Sequence, residues 1–373
     1  MKKTYISLAT VLAFSSSSLI AAQTLEEAFK SGKVEGHIGV YAQQYDYKHA
    51  QKEGFVSGNI ALAYETASLH NFSLGMAAWG DGKLGEKHDG NYDSAIAKKG
   101  VVHQAYIKYD DEKHLKAIIG RQEMDFMWMT DFVEGATVEL SYIDNLVLTL
   151  AWARRQAVVD VDEVSDFEKM NGNDGVYMID AKYTPIAWLE INPFYYHASD
   201  LFNAPGIKVT LSFEPKEDFK TATMLAYTKS NSDIAGEPDG YVAQIEQGFE
   251  FKAFNLGVGY VRVDKEGTAR LESFGDQMPF EDGNYIFAPD AKTPYIFASY
   301  NIESIGVTLG AMYGETSYKD AGEKFKEKEF SASIGYEVIK NLEASLIYVN
   351  VKNNDDTNGD SYDAIKAGLA YKF

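Results

Sequence analysis

The last twelve residues constrain this chain more than any others. Tyr362 to Phe373 reads YDAIKAGLAYKF, and counting back in twos from the terminus gives Phe373, Tyr371, Leu369, Ala367 and Ile365. The residues between them are Lys372, Ala370, Gly368, Lys366 and Ala364. Alternation over this length is a β-strand with one apolar face. In water a terminal strand of this kind is an exposed edge that templates aggregation. The edge disappears if the strand pairs with the first strand and closes a barrel.

The rest of the chain keeps the same beat. Ile207, Val209, Leu211 and Phe213 share one face, with Lys208, Thr210 and Ser212 on the other. Leu342, Ala344, Leu346 and Tyr348 alternate with Glu343 and Ser345, and Ile305, Val307, Leu309, Ala311 and Tyr313 with Gly306, Thr308 and Gly310. Such segments recur about 18 times, and their connections alternate between tight turns (near Asp111, Asp144, Pro185, Pro215, Lys252, Glu303 and Lys340) and long polar stretches. Apolar faces end in aromatics, as at Tyr142, Trp152, Tyr183, Phe213, Tyr313, Tyr348 and Phe373. A β-sandwich also places tyrosines at strand ends, but short turns on one side, long loops on the other and aromatic girdles together fit a membrane barrel. The expected fold is all-β: a transmembrane antiparallel β-barrel of about 18 strands, with 16 as the alternative, short periplasmic turns and long extracellular loops.

The N-terminus agrees. Lys2 and Lys3 precede a short apolar, Ser-rich run, and Ala21-Ala22 offers small residues for cleavage, so residues 1–22 read as a secretory signal peptide. Residues 23–373 then form a single domain. No later run approaches the roughly 18 apolar residues of a spanning helix, so a membrane form must be a closed barrel, in which every backbone polar group is paired. Aromatics make up 13% of residues, including 25 Tyr. The net charge of −20 excludes a nucleic-acid partner, which needs a basic face.

Catalytic and metal motifs are absent. There is no cysteine, and the seven histidines (His37, His49, His70, His88, His103, His114 and His197) stand singly without ligand spacing. No cofactor is expected. The run from Asn354 to Asp360 has the look of a calcium loop, but the twelfth position is Ile365 where a bidentate Glu is needed.

Three stretches carry a family resemblance. A terminal Phe373 two residues after Tyr371 resembles the C-terminal assembly signal of bacterial outer-membrane proteins. Leu25 to Tyr41 (LEEAFKSGKVEGHIGVY), and Gly120-Arg121-Gln122 with Val133-Glu134-Gly135-Ala136, resemble the substrate-specific porin family typified by OprD, especially its epsilonproteobacterial branch. That resemblance implies an 18-stranded channel narrowed by inward loops, in the bacterial outer membrane, passing small hydrophilic solutes along a ladder of basic residues. It implies lipid and lipopolysaccharide as surroundings and a monomer or homotrimer as the assembly. The sequence departs from the ladder, having only five arginines.

Candidate residues follow from alternation and from that resemblance. If Leu146, Leu148, Leu150 and Trp152 face lipid, Thr149, Ala151, Ala153 and Arg155 face the lumen, making Arg155 the leading basic candidate. By the resemblance Arg121 lies at the mouth of the third loop. Lys182, Lys208, Lys366 and Glu139 are expected to line the lumen. Residues 123–132 (EMDFMWMTDF) are too apolar for a loop in water, so they are expected to fold inward, with Glu123, Asp125 and Asp131 at the constriction. The acidic run Asp160, Asp162, Glu163, Asp166 and Glu168 reads as a solvated face, or as an attachment point for divalent ions bridging lipopolysaccharide. Cleavage takes the formal charge to about −22, and a carboxylate surplus at the mouth favours cations. The reading is a passive, weakly cation-selective porin. An outer-membrane enzyme and a barrel-anchored structural or adhesive protein are the other classes, and conductance separates them.

Overall fold

A computed structural model describes residues 22–275, 278–355 and 359–373. The proposed leader, apart from Ala22, lies outside these residues, as does part of the run from Asn354 to Asp360. A short helix α1 (Leu25–Lys30) opens the described chain, its Glu27 amide capped by the Thr24 hydroxyl. The strands follow in chain order: β1 (Lys33–Tyr47), β2 (Glu53–Glu65), β3 (Phe72–Glu86), β4 (Gly100–Asp110), β5 (Leu115–Glu123), β6 (Phe132–Ile143), β7 (Leu146–Ala157), β8 (Glu168–Lys169), β9 (Val176–Ile186) and β10 (Leu189–Ala198). The second half supplies β11 (Phe202–Lys216), β12 (Phe219–Ser232), β13 (Gly240–Phe251), β14 (Phe254–Val263), β15 (Lys292–Ile302), β16 (Val307–Asp320), β17 (Glu323–Ile339), β18 (Leu342–Asn353) and β19 (Tyr362–Lys372).

Each strand pairs antiparallel with its neighbours, and β19 returns to β1 from His37↔Lys372 to Tyr47↔Tyr362. Gly36 and Phe373 exchange both backbone hydrogen bonds, each 2.9 Å, below the last of these pairs. The terminal strand therefore closes the barrel. Strand β8 has two residues and β7 pairs directly with β9, so the wall holds 18 strands.

Outward residues form an apolar band that includes Ile38, Ile60, Ile119, Ile207, Leu346 and Leu369, all exposed. Tyr371 and Phe373 lie on this outer face. Aromatics bound the band, with Phe213, Phe251 and Tyr300 towards the turns and Tyr260, Tyr313 and Tyr348 towards the loops. A lipid-facing surface explains why so many large apolar groups stay exposed.

Two expectations need correction. Strands run past their alternating cores: alternation predicts strands over 72–79, 207–213 and 329–338, but β3 reaches Glu86, β11 starts at Phe202 and β17 starts at Glu323. Beyond the bilayer both faces of the wall meet water, so the pairing continues without an apolar face to mark it. The loop end also contains two tight connections, at 199–201 and 321–322. In the second, Ala321 and Gly322 take φ of 47° and 86°, the left-handed pair that a two-residue hairpin requires.

A bulge corrects the facing of Arg155. Strand β7 pairs with β6 as Gly135↔Ala153 and then Glu134↔Arg155, which leaves Arg154 unpaired. The extra residue reverses the alternation. Gln156, opposite Val133, takes the inward position, and Arg155 falls on the same strand face as Glu134 and Arg121.

Candidate functional site

The interior is shaped by the β5–β6 hairpin. Strand β4 pairs with β5 only as far as Ala105↔Arg121, while it continues beside β3 up to Gly80↔Gly100. Released from β4, the end of the hairpin crosses the lumen. Trp128 at its tip is 1% exposed; its backbone amide donates to the Tyr196 hydroxyl (3.1 Å) and its indole N–H to the Thr228 hydroxyl (2.9 Å). Met124, Met127 and Met129 are buried around it, with Met178, Phe194 and Phe202 of β9, β10 and β11. Indole and thioether groups fill irregular apolar space, which accounts for a composition unsuited to water.

Two further segments enter the barrel. In the first, 158–167, Val159, Val161, Val164 and Phe167 are buried with Tyr41, Phe55, Trp79 and Tyr92. The run read as a solvated face is thus solvated in part: its apolar residues pack inside, while Asp166 and Glu168 stay exposed. The buried apolar residues there recur every two or three positions, a pattern masked by the four carboxylates among them. The second, 264–275 with 278–291, buries Leu271, Phe274 and Ile286. A Cβ on Gly275 would stand 2.4 Å from the Trp128 carbonyl carbon, so only glycine permits this meeting of the two segments.

These insertions fill one side of the barrel and leave two cavities beside β1 and β15–β19. The outer, about 530 Å³, is lined by Gln43, Tyr45, Asp162, Glu281, Asp282 and Lys366 among others. The inner, about 610 Å³, is lined by Tyr41, Val161, Gly368, Glu303, Glu337 and Glu343 among others. Neighbouring positions on the same segments thus line both: Tyr41 and Gln43, Val161 and Asp162, Gly368 and Lys366. The two cavities therefore adjoin at this level.

Carboxylates dominate the junction. Lys366, 4% exposed, places Nζ 3.0 Å from Asp282 Oδ1 and 3.8 Å from Glu281 Oε2. The Tyr362 hydroxyl donates to Asp282 Oδ2 at 2.9 Å. Glu329 on β17 accepts the backbone amides of Glu281 (3.0 Å) and Gly283 (2.9 Å), and the Asn284 amide donates to Glu327 and to the Tyr362 hydroxyl. Burial pushes the Glu281 carboxyl up to about 7; Lys366 opposes this, and Asp282, Glu329 and Asp162 reinforce it. Burial also raises Glu163, helped by Asp162 and Asp131.

Of the residues singled out from sequence, Lys366 lies at the junction. Asp131 lines a separate outer recess with Glu163, Glu168, Arg270 and Glu272, and Asp125 is exposed. Glu123 ends β5 opposite Phe132, half-buried. Arg121 is locked into the hairpin: it donates to the Val102 carbonyl (2.8 Å), stands 3.5 Å from Glu134, and lies 4.2 Å over the Phe167 ring. Lys182 shares the inward face of β9 with buried Asp180, and Lys208 lies inward opposite Asn192. Glu139 pairs with Lys116 at 2.7 Å. Asp125, Asp131 and Arg155 therefore do not meet across one opening. Sequence reasoning placed Asp162 on a solvated face and passed over Glu281, Asp282, Glu327 and Glu329. For the last two the signal was present, since they alternate on the inward face of β17 with Lys326 and Lys328 outside. Among the described residues no group of three His, Cys, Asp or Glu side chains is placed to hold a metal.

Comparison with known proteins accords with this geometry. A family model described as "Putative outer membrane protein" matches residues 2–354. No curated relative matches. Among solved structures, Acinetobacter baumannii OccAB3 superposes with a TM-score of 0.78 at 13% identity, over 92% of this chain and 99% of its own. Acinetobacter baumannii OccAB4 gives 0.75 at 16%, over 91% and 98%. Pseudomonas aeruginosa OpdK, solved with vanillate, gives 0.74 at 13%, over 91% and 98%.

Proposed function

This chain belongs to the outer-membrane protein family whose model spans it, and we propose from that premise that it is a porin passing small hydrophilic solutes, with a weak preference for cations. Residues 1–22 serve as its cleaved export signal. The observation that carries the reading is the junction of the two cavities, where Lys366 is outnumbered by Asp162, Glu281, Asp282 and Glu327. A wet passage lined by fixed charge selects by the sign of that charge. Confined between low-dielectric walls, these groups are screened less than charges on an open surface. The vanillate held by one structural relative is a carboxylate. Here a carboxylate solute meets the single amine of Lys366, already engaged by two acids, so the local charge favours cations.

The test is the reversal potential across a KCl gradient in a planar bilayer, wild type against Glu281→Gln with Asp282→Asn. The wild type is expected to prefer potassium, and the double variant to shift towards zero. A chloride preference, or an unmoved potential in the variant, overturns the selectivity. Absence of conductance in the folded wild type overturns the porin itself and favours a sealed, structural barrel.

A further inference from the structure

We propose that the outer face of β14–β18, just beyond the lipid-facing band, docks the phosphorylated headgroup of lipopolysaccharide in the outer leaflet. The facing is fixed by what is buried. Val261, Val263, Thr293, Tyr318, Glu327 and Val351 point inward. Their strand neighbours Arg262, Lys292, Lys319, Lys326, Lys328 and Lys352 therefore point out. Tyr260, Tyr313, Phe330 and Tyr348 mark the loop-side edge of the apolar band on these strands. Each cation lies further towards the loops, where lipid headgroups begin.

The register places cations directly opposite one another. Arg262 faces Lys292 across β14–β15, Lys319 faces Lys324 across β16–β17, and Lys328 faces Lys352 across β17–β18. Like charges in that relation repel. Few carboxylates relieve them. Asp290 is shared by Arg262 (2.8 Å), Lys319 (3.0 Å) and Lys292 (3.8 Å), and Glu315 by Lys326 (2.6 Å) and Lys328 (3.4 Å). One carboxylate neutralises one cation, so a net positive strip remains, bounded on β19 by Asp363. It stands on a chain whose net charge is −20, so composition alone does not produce it. At about 4.8 Å between strands the strip is roughly 20 Å wide, enough for more than one phosphate. Phosphate oxygens accept several charge-assisted hydrogen bonds at once, and cations next to a bilayer surface attract anionic headgroups. The strip also assigns lipopolysaccharide a contact that the acidic segment 158–167, folded inside, does not supply.

The test compares wild type with the variant K292Q/K319Q/K326Q/K328Q, measuring lipopolysaccharide retained per folded barrel after detergent extraction. Retention is expected to fall by at least about threefold, while conductance stays at the wild-type level and K216Q/K220Q, at the opposite rim, retains as much as wild type. If the quadruple variant fails to assemble, K292Q/K319Q is measured in its place. A second arm follows thermal unfolding of delipidated wild type. Vesicles containing lipopolysaccharide are expected to raise its midpoint above that in neutral vesicles, and inorganic phosphate is not. Equal retention in an assembled variant overturns the proposal, as does an equal rise with inorganic phosphate.

Discussion

At the residue scale, Trp128 and Glu281 carry the most consequence. Trp128 anchors the crossing hairpin by two hydrogen bonds and its buried ring. Trp128→Ala removes packing worth about 3–5 kcal/mol in a core, while the strand ladders of the wall are untouched. The expected outcome is an assembled barrel with higher and noisier single-channel conductance; conductance like wild type would mean the hairpin does not bound the path. Glu281 makes selectivity depend on pH. Its carboxyl, raised by burial to about 7, is largely ionised at pH 8 and largely protonated at pH 6. Acidification thus removes a negative charge beside Lys366, Asp282, Glu329 and Asp162. The potassium preference should weaken from pH 8 to 6 in wild type, and Glu281→Gln should flatten that change when reversal potentials are compared. Legibility at this scale was partial. The apolar tip of the hairpin was readable because three methionines and a tryptophan have no place in a watery loop. Arg155 was not, because a bulge leaves no mark in an alternating pattern until its partner strand is known. Glu281 and Asp282 were hidden for a related reason: a segment reaching from β14 across to β19 is placed by long-range contacts.

At the scale of elements, alternation supplied nearly everything inside the bilayer. Leu211 and Thr210 test it directly. Leu211 shares the outward face of β11 with Ile207 and Phe213, and Thr210 faces inward opposite Glu190. Leu211→Lys, two residues from the girdle aromatic Phe213, should cost free energy below the about 2–4 kcal/mol of a midplane site, seen as reduced heat-modifiable protein in the outer membrane. Thr210→Lys should assemble normally and alter conductance. Equal effects at both positions would contradict the register. Strand ends were less legible, since alternation reports lipid rather than pairing. Strand β17 continues for six residues before Glu329, through Lys324, Lys326 and Lys328, on pairing alone. The inward course of 158–167 was also missed, because its carboxylates outweigh four spaced apolar residues in any reading by composition.

At the scale of the whole molecule, closure was legible from one end of the chain. A terminal strand with an aromatic outer face needs a partner, and β1 provides it in register up to Tyr47. The division of the interior was not legible, because it depends on three segments distant in sequence sharing one space. That division has a mechanical consequence. A hollow cylinder of hydrogen-bonded strands is stiff along each strand but yields to squeezing, because neighbouring ladders hinge against one another. Here the β5–β6 hairpin is covalently part of the wall and bonded through Trp128 to β10 and β12, three and five strands further round. It acts as a brace across that arc, stiffening it against flattening under lateral pressure from the bilayer, on the side that bounds the open channel.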